Sequence, residues 1–114
     1  MNETSRALDE SHPVVRWVRR EVLPLLEERL RPTQVVVFDP PDRTAALGEH
    51  PPGLLVVSAA FRGMPVAERP PVVHALLAST SPVRPLCLTP EEYGVARQAP
   101  GPVLVAVRTG IRLR

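Results

Sequence analysis

The chain has 114 residues, 44% apolar and 23% charged, with a formal net charge of +2. That length allows one core and excludes separate cofactor and substrate lobes, and the composition excludes wholesale disorder or a fibrous repeat. All 14 basic residues are arginine and only 4% of residues are aromatic, so a stacking platform for single-stranded nucleic acid is disfavoured and the mild positive excess implies no phosphate partner by itself.

The first element is an amphipathic helix over about 13–31. Ser11 precedes Pro13, and Val14, Val15, Trp17, Val18, Val22, Leu25, Leu26 and Leu30 recur at helical spacing among charged residues. Pro24 lies inside it and should kink it or split it in two, because proline lacks the amide donor and clashes with the preceding turn. Arg31-Pro32 ends it. Gln34–Phe38 and Leu54–Ser58 are short apolar runs of the buried-strand type. Between them Asp39–Gly53 is a proline-rich loop, longer than most connections in a small domain, and such loops are commonly functional.

A turn with Gly63 follows, then a helix near Pro70–Ala78 with both prolines in its first turn. Val83–Leu88 reads as a third strand, which Pro85 assigns to a sheet edge. Thr89-Pro90-Glu91-Glu92 is a strong helix start, with a threonine cap, proline at the first helical position and a glutamate to close a capping box. That helix should run to about Ala99. Pro102–Arg114 is ambiguous, since Val103, Leu104, Val105 and Val107 suit a strand while Gly110 suits a helix C-terminus. No repeat or linker divides the chain, so residues 1–114 form one α/β (α+β) domain. It should hold a small mixed sheet of three or four strands within 34–114, with helices packed on one face.

Cys87 is the single cysteine, which excludes an intrachain disulfide or a cysteine-based zinc site. It reads as a small core residue with only Arg84 near enough in sequence to stabilise a thiolate. His12, His50 and His74 share no metal-ligand spacing, and His74 reads as a partly buried, hydrogen-bonded residue. The start of the chain is polar and acidic and no apolar run approaches about 20 residues. A cytoplasmic protein without membrane insertion is therefore expected, and fifteen prolines without lysine fit a GC-rich, thermophilic source.

From Val35 onward the sequence resembles the minimal nucleotidyltransferases, of the DNA polymerase β-like nucleotidyltransferase fold. The resemblance is carried by Val37-Phe38, by Leu54-Leu55-Val56-Val57-Ser58, by Phe61-Arg62-Gly63-Met64 with Glu68-Arg69, by Leu86 with Thr89-Pro90-Glu91-Glu92, and by Gly110-Ile111 with Leu113. It implies a Gly-Ser pair after the first strand to hold a triphosphate. It also implies an Asp-x-Asp pair before the second strand and a further carboxylate on a later one, together clamping two magnesium ions. This chain departs at each of those positions. Asp39-Pro40 stands for Gly-Ser, Pro51 and Gly53 for the aspartates, and Arg84 for the third carboxylate.

A charge at Asp39 would oppose a triphosphate by about 1 kcal/mol at 4 Å in water and about 4 at an effective dielectric of 20. Pro40 removes an amide donor, Pro51 and Gly53 supply no ligand, and Arg84 puts a cation where a dication would sit. The reading is a pseudoenzyme with no catalytic residue, metal or cofactor, whose vestigial site is Asp39, Pro40, Pro51, Gly53 and Arg84. Arg43 and Arg84 are candidates to meet an anion. Family members commonly work beside four-helix HEPN proteins in toxin and antitoxin pairs, so the resemblance implies a small helical partner or a homo-oligomer. Trp17, Val14 and Val18 are the candidate interface, because the first helix carries more apolar width than one sheet face covers. Two alternatives stay open. One is an active nucleotidyltransferase with relocated ligands Asp39, Asp42 and Glu49. The other is a nucleic-acid-binding module using Arg16, Arg19, Arg20, Arg108, Arg112 and Arg114.

Overall fold

The computed structural model describes residues 8–39, 51–77 and 83–114. The first helical rod starts at His12, whose Nδ1 accepts from the Val14 amide at 3.1 Å. It comprises α1 (Pro13–Trp17), a π-helical turn (Val18–Val22) and α2 (Leu23–Arg29). The π turn is how the rod absorbs Pro24. The Leu23 amide donates to Val18 O, five residues back, and the widened turn brings the proline into the first turn of α2, where a missing amide costs nothing. Arg31, at φ 46°, then takes the left-handed conformation that reverses the chain into Pro32.

Four strands follow in one mixed sheet: β1 (Gln34–Phe38), β2 (Gly53–Val57), β3 (Arg84–Leu88) and β4 (Ile111–Arg112), ordered β3-β2-β1-β4. β1 pairs antiparallel with β2 and β4, and β3 is parallel to β2. Two 3₁₀ turns (Ala59–Phe61 and Val66–Glu68) and α3 (Arg69–Leu76) connect onward from β2. Helices α4 (Pro90–Ala96) and α5 (Pro102–Thr109) lie between β3 and β4 in sequence. The Pro102–Arg114 ambiguity thus resolves as a helix, then Gly110, then a two-residue strand.

Helices cover both faces of the sheet, not the single face expected. On one side Val35, Val37, Leu54, Val56 and Cys87 pack with Val15, Val18, Val22 and Leu26 of the first rod and with Phe61, Val73 and Leu77. On the other, Val36, Phe38, Leu55 and Val57 pack with Tyr93, Val103 and Ala106 of α4 and α5. Alternate residues of β1 and β2 therefore enter different clusters, which is why both strands are apolar without interruption. Gly110 is held against β1 so closely that an added Cβ would lie 2.5 Å from Val36 Cγ1 and 2.9 Å from Val37 O.

Two polar devices fix the elements, one between layers and one at a helix start. Buried Ser58 donates from Oγ to Leu30 O at 2.5 Å and accepts from the Ala60 amide at 3.0 Å, joining the rod, the sheet and the first 3₁₀ turn. The capping box forms as read, with the Glu92 amide donating to Thr89 Oγ1 and the Thr89 amide donating to Glu92 Oε1.

Candidate functional site

The strand register sets Phe38 opposite Gly53 and Gly53 opposite Arg84. The end of β1, the start of β2 and the start of β3 therefore meet at one end of the sheet. Asp39, Pro51, Gly53 and Arg84 lie there, and the Arg84 amide donates to Pro52 O at 2.9 Å. Pro40, Asp42, Arg43 and Glu49 lie outside the described residues.

Among the described residues, the side-chain chemistry at this end is meagre. Gly53 has no side chain, the Pro51 side chain has no donor atom to offer a metal, Arg84 is a cation and Asp39 is a single carboxylate. Among the described residues, no three histidine, cysteine or acidic side chains gather to hold a metal ion. Packing also closes the position. A Cβ built on Gly53 would lie 2.4, 2.5 and 2.8 Å from three atoms of the Phe38 ring. That ring is 3% exposed and belongs to the cluster under α4 and α5. Position 53 is thus reserved for glycine by an aromatic side chain from the neighbouring strand.

The most developed polar constellation is elsewhere, at Arg69 and Glu92. The Arg69 side chain is 5% exposed. Its Nε donates to Met64 O at 2.9 Å, its Nη1 to Glu92 Oε1 at 2.5 Å and to Cys87 O at 3.3 Å, and its Nη2 to Glu92 Oε2 at 3.2 Å. The guanidinium also lies 5.9 Å from the centroid of the Phe61 ring. Arg69, chiefly through these hydrogen bonds, holds the Glu92 carboxyl below the usual carboxylate range, with help from the Thr89 amide. Sequence reading named both residues as pieces of a resemblance and missed their pairing, because no local pattern links positions so far apart.

Other expected residues are placed differently. His74 is exposed on α3 rather than partly buried. Cys87 is buried as expected, and desolvation pushes its thiol up to about 12, but the cation that partly opposes this is Arg69, not Arg84. Of the candidate interface residues, Val18 is fully buried in the chain's own core, while Val14 and Trp17 pack against that core and stay partly exposed. Leu25, Val66 and Val95 are the large apolar side chains left exposed among the described residues.

The arginine set proposed for nucleic acid is split. Arg16, Arg19 and Arg20 are on the rod, whereas Arg108 is on α5 across the sheet. Arg19 pairs with Glu10 at 2.5 Å, Arg20 with Glu21 at 3.4 Å and Arg114 with Glu27 at 3.0 Å. No helix among the described residues is long and apolar enough to cross a membrane. No family model, curated protein or solved structure matches the chain.

Proposed function

We propose that this chain is a nucleotidyltransferase-like pseudoenzyme that acts as a protein-binding or scaffolding subunit. One observation carries the reading: the Phe38 ring fills the space a side chain at position 53 would need. In the family the sequence resembles, that position belongs to a metal-binding carboxylate. Here the ligand is missing and a core aromatic has taken its room, which is what a chain relieved of catalysis accumulates. The Arg69–Glu92 clamp and the capping box tie α3, β3 and α4 to one another without using any residue at that end of the sheet.

The scaffolding half of the proposal draws on the resemblance and on the surface. Val14, Trp17 and Leu25 leave apolar area on the outer side of the rod, interleaved with Arg16, Arg19 and Arg20. Aromatic and arginine side chains together have the composition of interface anchors. A small helical protein of the HEPN type or a second copy of the chain is the partner proposed. Tagged chain purified from its source cell under native conditions tests this, read by mass spectrometry and light scattering. A stoichiometric partner or a stable homo-oligomer supports the proposal, and a chain that elutes alone as a monomer refutes it. Trp17→Ala should keep its fold and lose the association.

A further inference from the structure

A strand at the edge of a sheet offers unpaired amides and carbonyls to any other strand that meets it. Among the described residues, the sheet ends in β3 on one side and β4 on the other. β4 is only two residues long, and its Arg112 is exposed. Short, charged edges of that kind resist pairing. β3 has five residues and pairs with β2, GLLVV, an uncharged apolar strand whose composition favours strand stacking. It is the edge that needs protection.

The parallel ladder decides which backbone groups of β3 point outward. The Arg84 amide donates to Pro52 O and the Ser58 amide donates to Leu88 O, so residues 84, 86 and 88 face β2. Residues 85 and 87 face away. Residue 85 is a proline and has no amide to offer. The Cys87 carbonyl already accepts from Arg69 Nη1, and just past the strand the Thr89 amide already donates to Glu92 Oε1. Arg69 and Glu92 grip each other across the same edge.

We infer that Pro85, Arg69 and Glu92 form an edge guard that stops β3 from adding a strand from a second copy of this chain. An ion pair with only one partner buried, here Arg69, is weak evidence for stability, since well-packed apolar residues often serve as well. The bonds to Cys87 O and Thr89 N–H, both at the outer edge of the sheet, give this pair a different purpose.

Pro85→Val and Arg69→Met test the inference, alone and combined, by light scattering over a concentration series from low micromolar upward. Circular dichroism checks the fold. Pro85→Val restores an outward amide without removing any bond, so it decides the matter even if Arg69→Met fails to fold. Folded Pro85→Val should at least double in mass relative to wild type as concentration rises, and the Cys87 amide should exchange more slowly with solvent in the associated form. A folded Pro85→Val that keeps the wild-type mass throughout overturns the inference. So does association that leaves the Cys87 amide exchanging as before.

Discussion

Gly53→Ala should destabilise the protein although it adds only one methyl group. Elsewhere in a strand the same change removes backbone freedom from the unfolded chain and stabilises by about 0.5–1 kcal/mol. At position 53 the new Cβ would sit 2.4 Å from Phe38 Cζ, well inside contact distance. Phe38 lies on β1, one of the two interior strands, and is 3% exposed, so its ring can yield only by leaving its place in the cluster with Val36, Leu55, Val57 and Tyr93. Giving up a buried phenylalanine side chain costs about 1.5–3 kcal/mol, and overpacking without relief costs about 1–3. A net loss of about 2 kcal/mol is expected, which at a urea slope of about 1–3 kcal/mol/M lowers the unfolding midpoint by about 1 M. The cause is separable from a general dislike of alanine by a double-mutant cycle. In a Phe38→Leu background the smaller, more flexible side chain can turn aside, so Gly53→Ala should cost about 1 kcal/mol less than in wild type. Equal penalties in both backgrounds, or a Gly53→Ala protein as stable as wild type, would refute the steric account.

Three further outcomes follow from individual contacts. Gly94 lies within α4 with nothing inside 4 Å of an added Cβ, so Gly94→Ala should raise stability by about 0.5–1 kcal/mol in urea unfolding. Arg69 lowers the Glu92 pKa, so the unfolded chain takes up this proton at a higher pH than the folded one. The stabilisation is therefore complete above about pH 4.3, the ordinary glutamate value, and is lost as pH falls through the lower folded one. Glu92→Gln should flatten that acid limb of a melting-temperature profile, and an unchanged limb would remove Glu92 from the explanation. Because burial raises the Cys87 thiol to about 12, it should stay unreactive toward a thiol reagent at about pH 8 until denaturant opens the chain. Rapid labelling of the folded protein would contradict its placement.

Legibility in the sequence followed the range of each interaction. The α4 start was readable to the residue because Thr89, Pro90 and Glu92 form a code within one turn, and the capping box has that geometry. Strands β1 and β2 were readable from their apolar runs. Those same runs already carried the information that both faces are covered, since a strand lacking alternation has no solvent side. α5 was ambiguous because valines at 103, 105 and 107 favour a strand by propensity, and packing of Val103 and Ala106 on the sheet decided for helix. The first rod was readable as amphipathic, but how its apolar residues divide between core and surface was not: Val18 is buried under the sheet, α3 and Phe61, while Val14, Trp17 and Leu25 keep exposed area. At the candidate site, the residue types at 51, 53 and 84 were visible one by one. The Phe38 ring over Gly53 was not, because it depends on strand register. Arg69–Glu92 was hidden for the same reason, being a contact between elements rather than a pattern within one.

The proposal that this chain is a pseudoenzyme without metal or nucleotide chemistry is tested most directly by calorimetric titration with each magnesium nucleoside triphosphate. The residues present, Asp39, Pro51, Gly53 and Arg84, with Phe38 packed over Gly53, predict no binding heat up to millimolar ligand. Saturable binding that vanishes on adding a chelator would contradict the account and favour ligands relocated to Asp39, Asp42 and Glu49.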